Sequence, residues 1–177
     1  MTRWFTLQPA DEQFIETAPL RFVHVVDIDG DVAALWQALT VDDALEAWAM
    51  GITGAQWTSP RPFGVGTTRT VTVAKGGAAL QERFFRWEDG RRMTFYATAA
   101  SRPGFRKFAE DVLVEPRPGG ARLTWTFAIE AASWTAPVLN ASRPLLDRVT
   151  RAWAMGVAGE KGLGRTARYV SKEGARR

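Results

Sequence analysis

Four side chains carry the chemistry in this 177-residue chain: His24, Arg69, Glu82 and Glu110. Each alternates with apolar residues on a strand-like segment. His24 lies between Phe22 and Val26, Arg69 leads Val71 and Val73, Glu82 lies between Leu80 and Phe84, and Glu110 lies between Phe108 and Val112. A period of two puts such residues on one sheet face, so each polar group points the same way as its apolar neighbours. Polar groups among apolar ones must be paired or wet. Arg69 placed diagonally to Glu82 gives an internal ion pair that satisfies both. Two readings stay open. In one, the pair is a structural salt bridge with water, and His24 is a satisfied core histidine. In the other, the groups orient the polar head of a ligand, or Glu82, His24 and Glu110 are catalytic candidates for acid–base work. No inward Ser or Cys accompanies them, so no nucleophilic triad is visible. Tyr96 could donate a proton, but its register points it outward.

The turns assign the faces. If Asp89-Gly90 is a two-residue hairpin loop, Glu88 opposes Arg91. One face then pairs Arg86 with Met93, Phe84 with Phe95, Glu82 with Ala97 and Leu80 with Ala99; Trp87, Phe85 and Arg83 take the other. A four-residue loop at Arg117–Gly120 sets Val114, Val112, Glu110 and Phe108 opposite Leu123, Trp125, Phe127 and Ile129. Glu115 and Arg122 then meet outside as an opposite-charge pair. The more apolar set forms the concave side of a cup. The candidate ligand-binding residues are therefore Arg69, Leu80, Glu82, Phe84, Phe95, Ala97, Phe108, Glu110, Trp125, Phe127 and, from a later helix, Trp153, with Arg86 near the rim. Trp125 and Trp153 would read the same if they were simply core.

The elements that hold these faces follow from periodicity and caps. Residues 1–19 read as an irregular leader broken by Pro9 and Pro19. A half-buried strand runs over 21–28. Asp31 caps a helix through Leu39, and Asp42 or Asp43 caps a second short one holding Leu45, Trp48 and Ala49. A short strand at 55–58 enters Ser59-Pro60-Arg61-Pro62-Phe63-Gly64, which is an ordinary edge connection or a gate. Strands follow near 67–74, 78–88, 91–100, 106–115 and 121–130, joined by Gly- and Pro-bearing turns. The chain then closes in one long helix over 143–170, with Leu146, Val149, Trp153, Val157 and Leu163 as its apolar stripe. Gly156, Gly159, Gly162 and Gly164 inside it read as a kink or close approach, or as room left for a ligand.

Bulk composition removes several function classes. The chain has no Cys, so neither disulfides nor thiolate chemistry are available, and its single His rules out a His-rich metal site. Hydrophobic residues make up 46% and charged residues 24%, ordinary for one globular domain, but eight Trp and ten Phe supply unusual ring volume. No apolar run approaches a membrane span, and Met1 to Pro9 lacks the form of a secretory signal, which makes a cytoplasmic protein the expectation. Much of the net charge of +4 comes from Lys161, Arg165, Arg168, Lys172, Arg176 and Arg177. These suit a solvated helix end, without the aromatic platform of a nucleic-acid binder. No nucleic-acid partner is expected, and nothing indicates an oligomeric state.

The element order, together with Ile28-Asp29-Gly30-Asp31 running into Trp36, the stretch from Trp57 through Pro60, Phe63 and Gly66 to Arg69, Glu82-Arg83-Phe84-Phe85-Arg86-Trp87-Glu88 and Gly120 to Trp125, resembles the START-like helix-grip (SRPBCC) superfamily. Within it the chain is similar to the polyketide cyclase/dehydrase and lipid-transport group. The resemblance implies an α+β fold: a curved antiparallel sheet of about seven strands gripping a long C-terminal helix, with two short helices between the first two strands and a cavity between helix and sheet. It implies no cofactor or metal. The similarity covers roughly Arg21 to Val170, and the chain as a whole reads as a leader 1–19, a helix-grip ligand-binding domain 20–171 and a basic tail 172–177. In related plant hormone receptors a glutamate in the matching Glu-Arg faces the pocket, which favours Glu82. Members include carriers, receptors and cyclases, so fold alone does not fix the activity. The expected function is a binding or carrier protein for an apolar or amphipathic small molecule such as a lipid, sterol or polyketide. The alternatives are a cyclase, aromatase or dehydratase acting on such a molecule, and an interaction module whose cup is filled by its own side chains.

Overall fold

One antiparallel sheet organises the chain, seen here in a computed structural model that describes residues 2–171. Its strands are β1 (Phe5–Thr6), β2 (Leu20–Asp29), β3 (Ile52–Trp57), β4 (Thr68–Val73), β5 (Ala78–Glu88), β6 (Arg92–Ala100), β7 (Phe105–Arg117), β8 (Gly120–Ala131) and β9 (Ala167–Ser171). The spatial order is β3-β4-β5-β6-β7-β8-β2-β9, with β1 added beside β6. Five helices accompany it: α1 (Glu12–Thr17), α2 (Val32–Thr40), α3 (Ala44–Trp48), α4 (Ala136–Ala141) and α5 (Arg143–Gly156). The α+β architecture and the two helices between the strands at 20–29 and 52–57 match the sequence reading, while the strand count rises to nine. The expected basic tail 172–177 lies outside the described residues.

Local chemistry explains the elements. Asp31 starts α2 by accepting the Ala34 amide at 2.6 Å. Asp43 precedes α3 but makes no side-chain cap. The long hairpin β7–β8 keeps the register that the Arg117–Gly120 turn dictates, with Glu110 opposite Phe127, Val112 opposite Trp125 and Glu115 opposite Arg122. Arg122 nonetheless turns its guanidinium to Asp27, at 2.7 and 3.1 Å. That contact holds the Asp27 carboxyl below its ordinary range.

Three expectations change. Residues 1–19 are not irregular. Phe5–Thr6 pairs with Ala99–Ala100, and α1, capped by Asp11 on the Phe14 amide at 2.9 Å, buries Phe14 and Ile15 on the convex face against Ala109 and Ala128. At a two-residue strand and a six-residue helix, these elements are too short to show a period. The closing helix stops at Gly156, and Ala167–Ser171 returns beside β2, with Ala167 opposite Ile28. A Cβ on Gly162 would stand 2.1 Å from the Val157 carbonyl oxygen, and Gly164 has φ +59°, so the chain reverses where side chains are excluded. A Cβ on Gly156 would stand 2.8 Å from the Trp48 carbonyl, a close approach to α3 and not to the sheet.

The third change is on β5. The hairpin loop has one residue more than expected, so Glu88 opposes Arg92, and Gly90 takes φ +75°. A bulge at Phe85 then restores the expected pairing, and Phe84 faces Phe95 and Glu82 faces Ala97. Between turn and bulge the faces are exchanged. Arg86 points outward to Glu12 and Glu88 and not to the rim of the cup. Trp87 turns inward, edge-on to Trp36 and Phe84. A second bulge pairs Leu80 with Ala100 in place of Ala99.

Candidate functional site

Helix α5 packs on β2 and β8. It leaves uncovered the concave surface of β4 and β5, and there the chain encloses a cavity of about 310 Å³. The walls come from Val71 and Val73 on β4, Leu80 on β5, Phe108 on β7, Trp125, Phe127 and Ile129 on β8, and Leu146, Val149 and Trp153 on α5. Trp125 and Phe127 stack with centroids 5.2 Å apart and rings inclined by 18°. The Trp153 indole donates to the Met50 carbonyl at 2.8 Å, which fixes that ring across the sheet. The exposed Arg102 also borders the cavity, donating to the Gly77 carbonyl at 2.7 Å.

Three charged-type side chains interrupt this apolar lining: Arg69, Glu82 and Glu110. Arg69 and Glu82 stand directly opposite each other on β4 and β5, closer than the diagonal expected. Arg69 donates through Nε at 2.8 Å and Nη2 at 2.6 Å, both to Glu82 Oε2. Both side chains are only 3% exposed. The guanidinium also lies 5.0, 5.4 and 5.1 Å from the ring centroids of Trp57, Phe84 and Phe95, a cation–π cage that shields it from water. Glu110 is buried as well, and its Oε2 accepts the Trp125 indole N–H at 2.7 Å.

Burial raises both carboxyls above their ordinary range, and for Glu82 the charge and hydrogen bonds of Arg69 pull the other way. For Glu110, burial and then the neighbouring charge of Glu82 push the pKa to about 8. The two titrate as a pair. Arginine keeps its charge, and both of its hydrogen bonds go to Glu82, so the negative charge belongs there. At neutral pH the trio is thus one cation, one anion and one neutral acid. With Oε2 accepting from Trp125, Oε1 is the oxygen left to carry the proton of the neutral acid.

His24 does not join this group. It is fully buried, with Nε2 2.8 Å from Thr150 Oγ1 and Nδ1 3.1 Å from Tyr169 Oη. Those partners tie β2 to α5 and β9. Of the candidate ligand-binding residues, Arg69, Leu80, Glu82, Phe108, Glu110, Trp125, Phe127 and Trp153 line the cavity. Phe84, Phe95 and Ala97 do not. They are packed solid at one end, where the Phe84 and Phe95 ring centroids lie 4.7 Å apart and both rings serve the Arg69 cage. Sequence reasoning placed Val71 and Val73 on the correct face without naming them as lining. It missed Val149 and Leu146, whose signal was the helical stripe, and Trp57, whose position on an edge strand gave no clue to its role over Arg69. The loop at 59–66 is fastened by Phe63 stacked on Trp57 at 4.2 Å and by Arg61 paired with Asp42 at 2.7 Å, and none of its residues lines the cavity. Among the described residues no cluster of His, Cys, Asp or Glu is placed to hold a metal ion, and no helix is long and apolar enough to cross a membrane.

A curved sheet gripping a C-terminal helix over an internal cavity defines the START-like class of ligand-binding folds. The family model for polyketide cyclase / dehydrase and lipid transport matches residues 19–171, and the chain belongs to that family. An uncharacterised protein of Mycobacterium tuberculosis, Rv2574, is 43% identical over 138 residues, covering 78% of this chain and 82% of its own; Mb2604 of Mycobacterium bovis matches to the same extent. Among solved structures, TTHA0849 from Thermus thermophilus superposes with a TM-score of 0.64 at 13% identity, covering 77% of this chain and 92% of that one. A START superfamily protein from Mycobacterium smegmatis gives a TM-score of 0.64 at 12% identity, covering 78% and 94%. At such identities these structures speak for the fold alone.

Proposed function

We propose that the protein binds and carries an apolar or amphipathic small molecule, lipid-, sterol- or polyketide-like, in the cavity beneath α5. The observation that carries this is the apolar space of about 310 Å³, with its few polar groups converging as Arg69, Glu82 and Glu110. Ligand sites have that character: roughly 300–1,000 Å³, mostly apolar, with a small number of placed polar groups. A core filled by its own side chains would leave no such space, so the interaction-module alternative loses its support. The reading takes the protein as cytoplasmic.

A second reading, an enzyme of the cyclase, aromatase or dehydratase type, is favoured by one feature. Glu110, held near pKa 8 beside a charged carboxylate, is poised to give and take a proton at neutral pH. This reading does not call on His24, whose ring nitrogens lie beside Thr150 and Tyr169.

Titration with the uncharged fluorophore N-phenylnaphthylamine tests the binding reading. The wild type should bind one equivalent, and Val149→Trp, which fills the space from α5, should lose binding while melting at an unchanged temperature. Failure of the wild type to bind this or any lipid-like competitor ends the carrier reading. Conversion of a bound polyketide-like molecule, lost in Glu110→Gln with affinity retained, makes the protein an enzyme instead.

A further inference from the structure

The polar end of the cavity is already balanced in charge. We propose that it selects uncharged ligands presenting a hydrogen-bond acceptor, such as a ketone, ester or lactone carbonyl, over carboxylates and over bare hydrocarbons. The inference rests on the binding reading above and names the ligand class for that site.

The argument starts from Arg69, the one internal cation of the lining. In a cavity meant for a carboxylate, that guanidinium would bring a positive charge not already matched by the protein. Here its Nε and Nη2 both go to Glu82, and three aromatic rings stand within 5.4 Å around it. Its charge is matched by a protein carboxylate at 2.6 Å. A ligand carboxylate entering the cavity would lose its water, meet the Glu82 anion and find no unpaired cation. Arg102 stands exposed at the border, apart from the buried Arg69–Glu82 pair that sets the balance inside.

A bare hydrocarbon is disfavoured for the opposite reason. Glu110 is buried, and one of its oxygens is occupied by the Trp125 indole. Its acid proton, retained at neutral pH because burial and the Glu82 charge both oppose ionisation, needs an acceptor. A ligand offering only C–H leaves that donor unmet, and buried donors left unmet are costly. A carbonyl oxygen meets it and adds no charge. The discriminating feature is therefore the second carboxyl: one neutralises Arg69, the other stays protonated and donates.

Three ligands with the same ring system test this: methyl naphthyl ketone, naphthoate and ethylnaphthalene, each displacing N-phenylnaphthylamine at pH 6.5 and at pH 9.5. At pH 6.5 the ketone should bind at least about tenfold more tightly than either of the others. Raising the pH ionises Glu110 and should cost the wild type most of its ketone affinity. Glu110→Gln keeps a donor N–H, so it should retain the ketone preference and lose the pH dependence. Glu110→Leu should level the ketone with the hydrocarbon. Naphthoate binding as tightly as the ketone overturns the proposal while leaving the cavity a ligand site. Equal binding of all three at both pH values overturns it in the same way. If the fluorophore and all three ligands fail to bind, the binding reading falls and this inference falls with it.

Discussion

Arg69 and Glu82 face each other across β4 and β5, and both donors of the guanidinium edge converge on one carboxylate oxygen, at 2.8 and 2.6 Å. The pair lies inside an otherwise apolar cup. Removing one partner leaves an unpaired buried charge, which is far more damaging than the net worth of the pair. Glu82→Ala should therefore lower the unfolding free energy by about 3–5 kcal/mol in urea titration. A loss under about 1 kcal/mol would mean that water reaches Arg69.

Glu110 imposes a pH dependence whose sign is opposite to that of a salt-bridged carboxylate. Its pKa rises from an unfolded value of 4.5 to about 8 on folding. Between those values the unfolded chain has released a proton that the folded one still holds. The contribution is fully present below pH 4.5 and is lost as pH rises through 8. Relative to Glu110→Gln, the wild type should lose about 1.4 kcal/mol per pH unit inside that window and level off above it. Parallel stability curves from pH 5 to 9 would show that Glu110 is ionised in the folded state.

His24 is a structural clasp. Its ring joins Thr150 of α5 and Tyr169 of β9 at 2.8 and 3.1 Å. Tyr169→Phe removes one hydrogen bond and should cost about 0.5–1.5 kcal/mol. N-phenylnaphthylamine affinity should not change. A tenfold loss of affinity would bring His24 into the site.

Gly162 governs the reversal from α5 to β9. Gly162→Ala drives a Cβ to 2.1 Å from the Val157 carbonyl, against rigid backbone. The expected cost is about 1–3 kcal/mol, as for other forced overpacking. A neutral effect in thermal melts would favour the uninterrupted helix that periodicity suggests.

The sheet was legible because turns and alternation agree there. Glu115 opposite Arg122, and Glu110 opposite Phe127, follow from the Arg117–Gly120 loop and a period of two. On β5 the same reasoning placed Glu82 opposite Ala97 only because a longer loop and the Phe85 bulge cancel. No residue type announces a bulge, so Arg86 and Trp87 were exchanged between the faces. The stretch after Gly156 misled for a related reason. Leu163 continues the apolar stripe of α5, and only the carbonyl of Val157 forbids a side chain at position 162. For the site, inward direction was readable but vacancy was not. Phe84 and Leu80 point the same way, yet Phe84 is packed against Phe95 and Trp57 while Leu80 borders open space. Alternation gives the face of a side chain, and the space beyond it depends on where α5 comes to rest.

The central claim is that this space is a ligand site, and the most direct measurement is a crystal structure of the protein with N-phenylnaphthylamine. The account predicts the fluorophore between α5 and the sheet, flanked by Trp125, Trp153 and Val149. A fluorophore lodged instead on the outer surface, in the groove that Glu46, Gln56, Trp57, Arg61 and Phe63 line, with the space beneath α5 closed by side chains, would contradict it.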